Sequence, residues 1–213
     1  MSYTFNILVI DDQIQIHGIF ETYKKYLKKK YDLDVEFTIV NNEDEYDEEE
    51  PYDILMVDYN LRHGFYNSDK QLGNEFIEEF RQKNNVSKVI FYSSEFEYDP
   101  LKRKYKFPFA NKDLFDLINI LGVDKVTAKN NFEMTIQVIK EACEQMDILP
   151  LILSRTLAEY KKNNIEVSYT NINGEDINVS TLFKDLLNDN EQGKQFRKEI
   201  IETVLSVLFK YKY

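Results

Sequence analysis

Asp58 stands directly behind an apolar run, Ile54-Leu-Met-Val, and Asp11 and Asp12 stand in the same way behind Ile7–Ile10. Ser93 and Ser94 follow Val89–Tyr92, and Lys129 follows the short β-like stretch Val126–Ala128. Brought together, these side chains form three carboxylates, a hydroxyl and an ammonium. Clustered carboxylates repel one another and need a cation between them. Hard oxygen ligands with room left for water and a phosphate favour Mg²⁺. An ammonium and a hydroxyl nearby can engage further phosphate oxygens. The set suits phosphoryl transfer onto a carboxylate, with Asp58 as nucleophile and Asp11 and Asp12 holding the metal, while Lys129 and Mg²⁺ stabilise the transferring charge. Asp58 takes the nucleophile's role because it ends the central run.

Such an arrangement needs elements that deliver each group to one edge. Short continuous apolar runs bounded by polar residues read as strands buried on both faces, as in a parallel sheet. Ligands bind open α/β sheets at the carboxyl ends of their strands, where all five groups would lie. Helices alternate with the strands. One is expected over 14–31, with Ile16, Ile19, Phe20, Tyr23 and Leu27 on its apolar face. A second carries Phe76, Ile77 and Phe80, and a third runs over 112–121 and stops at Gly122. A fourth has the stripe Phe132, Ile136, Ile139, Cys143 and Met146. Residues 33–40 alternate with period two and read as a wetter edge strand. The rhythm specifies α/β architecture with a doubly wound parallel sheet. Past Pro150 the pattern changes to a helix over 151–162, a hairpin around Asn173-Gly174, and helices over 181–187 and 191–210. The last has Phe196, Ile200, Val204, Leu205 and Leu208 on one face. The expected division is 1–148 and a smaller, mainly helical domain, 149–213.

The 213 residues carry a formal charge of −11, which argues against a protein devoted to nucleic acid. In the C-terminal domain, basic residues from Lys161 to Lys212 are mixed with acids and show no helix-turn-helix pattern, so DNA binding is not favoured. Docking or homodimerisation through the final amphipathic helix is the better expectation. One cysteine excludes an internal disulfide and suits a reducing compartment; its place on an apolar stripe assigns Cys143 to core packing. The N-terminus has no basic start, and no stretch approaches the ~20 apolar residues of a membrane span. A cytoplasmic location is expected. The acidic run Glu43–Glu50 matches no calcium-loop spacing and reads as solvated, as do the lysines of the first helix. Residues 95–108, after Ser93, read as an irregular stretch, and the overlapping segment Lys102–Phe109, KRKYKFPF, reads as a flap that packs its rings down and leaves its charges in solvent.

These motifs resemble the receiver domain of response regulators in two-component signalling. The matching residues are ILVIDD with Asp11 and Asp12, VDYNL with Asp58 as the phosphoacceptor position, FYSS with Ser93, and GVDKVTAK with Lys129, over about residues 5–146. The resemblance implies a flavodoxin-like five-stranded sheet of order 2-1-3-4-5. It implies Mg²⁺ held by Asp11 or Asp12, Asp58 and the backbone carbonyl of Asn60, and a phosphoryl group received from a histidine kinase or phosphotransfer protein. The chain would then be a phosphoprotein that switches an output or dimerisation unit, able to dephosphorylate itself and not otherwise an enzyme. In the family, the positions occupied here by Asn60 and Glu95 tune dephosphorylation. Two departures stand out. Asn130 replaces the usual proline after the lysine, and Val126 replaces the aromatic that swings inward on activation. Lys102–Phe109 falls where receivers present a signalling face. The alternatives are an unphosphorylated pseudo-receiver serving as an interaction module, and an aspartate-nucleophile phosphatase. The phosphatase is disfavoured because the first strand ends Asp11-Asp12-Gln13 and not in DxD.

Overall fold

The computed structural model describes residues 3–99, 101–102 and 104–210. The chain divides into two compact units, Met1–Met146 and Asp147–Tyr213, a boundary two residues before the expected one.

The first unit is built on strands β1 (Thr4–Ile10), β2 (Asp34–Val40), β3 (Ile54–Asp58), β4 (Lys88–Ser93) and, after the hairpin β5 (Glu97–Asp99) and β6 (Lys104–Lys106), β7 (Lys125–Ala128). The main sheet is parallel throughout, in the order β2-β1-β3-β4-β7. With β7 as its fifth strand this is the order 2-1-3-4-5. Helices α1 (His17–Tyr31), α2 (Gly73–Lys83), α3 (Asn111–Asn119) and α4 (Phe132–Glu144) connect the strands.

Side-chain parity divides the strands between two cores. Leu8, Ile10, Leu55, Val57, Val89 and Phe91 pack with Phe76, Ile77 and Phe80 of α2 and Leu117 of α3. Ile7, Val9, Ile54, Met56, Ile90 and Tyr92 pack with Phe20, Tyr23 and Leu27 of α1 and with Ile136, Ile139 and Cys143 of α4. Each fully buried aliphatic chain contributes on the order of 2 kcal/mol, so a one-residue slip of a strand would be prohibitive. Burial pushes the Cys143 thiol up to about 12, in keeping with a packing role. β2 is an edge strand, and its alternation of wet and dry positions follows from that.

Three local expectations are corrected. Ile19 is exposed, because the buried stripe of α1 is set by Phe20, Tyr23 and Leu27. α3 ends at Asn119, before Gly122, which takes a positive φ of 64° two residues past the cap at Ile120. The stretch expected to be irregular after Ser93 contains the β5–β6 hairpin, whose following Phe107 and Phe109 pack on the core while Lys104 and Lys106 stay exposed. Arg103 and the Tyr105 side chain lie outside the described residues.

The second unit holds α5 (Ile148–Lys162), a hairpin of β8 (Ser168–Thr170) and β9 (Asp176–Asn178), α6 (Val179–Leu187) and α7 (Glu191–Lys210). Its small core gathers Leu182, Leu186 and Phe196 with Leu149, Leu153, Tyr169, Ile177 and Ile200. α5 begins three residues before the expected start, because a proline is tolerated in the first turn, where its missing N–H has no helical partner. The apolar face expected along α7 is covered only in its first half: Val204, Leu205 and Leu208 are exposed. Lys212 lies outside the described residues.

One glycine is decisive for the sheet edge. Gly73 opens α2 against the end of β3, and a Cβ there would stand 1.9 Å from the Asp58 carbonyl oxygen and 2.6 Å from Val57 Cγ1. Neither neighbour can move without displacing Asp58. Gly73→Ala is therefore expected to cost about 3 kcal/mol in urea unfolding; wild-type stability would show that helix and strand do not meet this closely.

Candidate functional site

Asp11 and Asp58 follow the same parity as the side chains facing α1 and α4, as does Tyr92, which is in register with Asp58. Lys129 continues the parity of Thr127, whose hydroxyl lies 3.4 Å from that of Thr135 in α4. Four strands thus send their end groups to one rim. One ligand oxygen each from Asp11, Asp12 and Asp58 falls within a 4.8 Å cluster.

The Lys129 ammonium lies 2.5 Å from Asp11 Oδ2 and 2.7 Å from Asp58 Oδ2. Asp11 Oδ1 accepts the Gln13 N–H at 3.0 Å, and Asp11 Oδ2 also accepts the Tyr92 hydroxyl at 2.7 Å. Asp12 Oδ2 accepts the His63 backbone N–H at 2.7 Å, with His63 Nδ1 3.0 Å away. Asp12 Oδ1 and Asp58 Oδ1 are buried and accept no hydrogen bond. A buried, unpartnered carboxylate oxygen is costly unless a cation serves it. Burial raises the Asp58 carboxyl to about 6, with Lys129 opposing the shift and the Asp11 charge adding to it. Hard oxygens, two of them unserved and all within reach of one another, fit Mg²⁺.

The remaining expected residues lie around this cluster. Ser93 is fully buried, its Oγ accepts the Glu95 N–H at 3.1 Å, and its carbonyl accepts the Lys129 N–H at 3.0 Å. Asn60 Nδ2 donates to Glu95 Oε1 at 2.5 Å, so the two positions read as tuning residues are bonded to each other. Asn60 also forms an isolated antiparallel bridge with Leu72. Its bonds run from Leu61 N–H to the Gln71 carbonyl and from Gly73 N–H to the Tyr59 carbonyl, and leave the Asn60 carbonyl out. Val126 is a partly buried member of the α2–α3 core. Ring mass sits instead on the segment after Ser93: Phe96 is fully buried, with ring centroids 5.9 Å from Tyr59, 5.2 Å from Phe107 and 5.7 Å from Phe109. Asn130 is exposed.

Sequence reasoning missed three contributors. Tyr92 could have been found from its parity with Ile90 and its register with Asp58. Gly73 carried a weak signal as a glycine opening a helix. His63 carried none, because its bonds to Asp12 depend on the path of the loop after β3.

Three clustered carboxylates with one ammonium between two of them oppose folding when no metal is present. Asp58→Asn is accordingly expected to raise stability by about 1–3 kcal/mol in urea with EDTA. Mg²⁺ is expected to stabilise the wild type and leave the variant nearly unchanged. A variant less stable than wild type in EDTA would contradict this electrostatic account.

No family model and no curated protein match the chain. Solved structures similar to it include a CheY-like response regulator receiver domain protein from Methanospirillum hungatei, at 19% identity and TM-score 0.43, covering 65% of this chain and 93% of that one. A response regulator receiver protein from Pseudomonas putida aligns at 15% identity and TM-score 0.42, covering 66% and 99%. The Thermotoga maritima response regulator DrrB, an OmpR/PhoB homologue, aligns at 14% identity and TM-score 0.42, covering 87% and 71%. The Met1–Met146 unit thus has a parallel sheet in the order 2-1-3-4-5 with helices on both faces, the doubly wound flavodoxin-like arrangement that receiver domains share.

Proposed function

We propose that the chain is a response regulator whose first unit accepts a phosphoryl group on Asp58, with Mg²⁺ bound among Asp11, Asp12, Asp58 and the Asn60 carbonyl. The observation that carries this reading is the pair of buried, unpartnered oxygens, Asp12 Oδ1 and Asp58 Oδ1, beside an ammonium already shared between Asp11 and Asp58. Mg²⁺, when bound, supplies positive charge to the carboxylates and to the phosphoryl oxygens.

The chain's own groups have defined tasks. A carboxylate oxygen of Asp58 forms the new P–O bond while the P–N bond of a phosphohistidine breaks. The imidazole nitrogen keeps the electron pair of that bond and takes a proton. The product is an acyl phosphate on Asp58. Lys129, already 2.7 Å from Asp58, offers its charge to a phosphoryl oxygen. The Ser93 hydroxyl, which now accepts from the Glu95 N–H, keeps its own proton to donate to another. Water attacking phosphorus later returns the carboxylate and inorganic phosphate, a reaction next to which the bonded pair Asn60–Glu95 is placed to act.

In this reading the chain is a phosphoacceptor and not a turnover enzyme. Its donor is a histidine kinase or phosphotransfer protein in the cytoplasm, and its phosphorylation state addresses the Asp147–Tyr213 unit or a second copy docking through the uncovered half of α7. Among the described residues no helix is long and apolar enough to cross a membrane.

Incubation with acetyl phosphate and Mg²⁺ is expected to add the mass of one phosphoryl group to the wild type and none to Asp58→Ala or to an EDTA control. A folded wild type that gains no mass would favour an unphosphorylated interaction module.

A further inference from the structure

Tyr92 has a place in the site that the phosphoacceptor reading does not itself assign. It is 3% exposed, and its ring meets Phe20 of α1 edge to face with centroids 6.2 Å apart. Its hydroxyl donates to Asp11 Oδ2 at 2.7 Å, the same oxygen that lies 2.5 Å from the Lys129 ammonium. That ammonium also stands 4.9 Å from the centroid of the Tyr92 ring. One aromatic side chain therefore touches both members of the Asp11–Lys129 pair, through its hydroxyl and through its π face.

The consequence is a division within the acidic pair. Both oxygens of Asp11 are engaged inside the protein, Oδ1 by the Gln13 N–H and Oδ2 by Tyr92 and Lys129. Asp12 and Asp58 each keep one buried oxygen without a partner. We propose that Tyr92 is a positioning residue that holds Asp11 as the support of Lys129 and so leaves direct ligation of the cation to Asp12 and Asp58. This inference rests on the phosphoacceptor reading. A phenol hydrogen-bonded to a carboxylate draws off part of its charge and fixes its rotamer. Without the hydroxyl, Asp11 Oδ2 is free to turn into the cation cluster, and Lys129 loses its fixed second acceptor.

Tyr92→Phe keeps the ring and removes the hydroxyl. The expected result is a split. Mg²⁺ binding measured by calorimetry tightens by about three- to tenfold, while phosphoryl uptake from acetyl phosphate at saturating Mg²⁺ slows about tenfold. General loosening of the site would weaken both together, and either that outcome or two unchanged constants would overturn the proposal. A spectroscopic readout stands beside it. Mg²⁺ draws on the charge of the acidic cluster, weakens the Tyr92–Asp11 hydrogen bond and shifts a tyrosine absorption edge to shorter wavelength. That difference band is expected in the wild type and absent in Tyr92→Phe. It is also expected to be absent in Asp11→Asn, which by this account still binds Mg²⁺ through Asp12 and Asp58 and carries the test should the Tyr92 variant not fold. A band that persists in Asp11→Asn would overturn the assignment of Tyr92. A folded wild type that bound no Mg²⁺ would fail the underlying reading and the proposal together, whereas a wild type that binds Mg²⁺ and takes up phosphate alongside an unaltered Tyr92→Phe would fail the proposal alone.

Discussion

The structure depends on one unequal sharing of charge: three carboxylates converge at the sheet edge, and a single ammonium lies between two of them. Lys129 neutralises less than the rim carries, and the Asp58 side chain is only 2% exposed, so water cannot supply the rest. Such a site is a liability to the fold in isolation and is suited to a divalent cation, whose charge would offset the clustered carboxylates. Stability given up at the rim is recovered in the two cores, between which the central strand β3 is dry on both faces.

What makes the convergence possible is parity. Ile7, Val9 and Asp11 share one face of β1 and its extension; Ile54, Met56 and Asp58 share the same face of β3, and Ile90 and Tyr92 that of β4. The apolar members of each series are pinned against α1 and α4, so the last polar member has no freedom to point elsewhere. Gly73 completes the geometry from the other side, since α2 can begin at the end of β3 only where no Cβ intervenes. Hydrophobic packing thus fixes where each strand-end polar residue stands.

Much of this was legible in the sequence. Apolar runs ending in Asp11, Asp12, Asp58 and Ser93 identify the strands and their functional edge without reference to coordinates, because a continuous apolar run has few alternatives to a buried parallel strand. The helix stripes of α2 and α4 were equally plain. Less legible were the features that depend on where loops travel. The bonds from His63 to Asp12, and the ring cluster that draws Phe96, Phe107 and Phe109 around Tyr59, have no period to read. Tyr92 reads as the apolar end of a strand, although its parity and register place it beside Asp58. The exposed half of α7 shows the opposite failure: an apolar stripe reveals that a face will be covered, not by what.

The most direct measurement of the central claim is a crystal structure of the full chain with Mg²⁺ and beryllium trifluoride, a stable phosphoryl mimic. The account predicts density for the fluoride complex on an Asp58 carboxylate oxygen and for Mg²⁺ against Asp12, Asp58 and the Asn60 carbonyl, with Lys129 and Ser93 turned to the fluorines. Crystals grown with both ions in excess that showed Asp58 unmodified and the acidic cluster without a metal would contradict it.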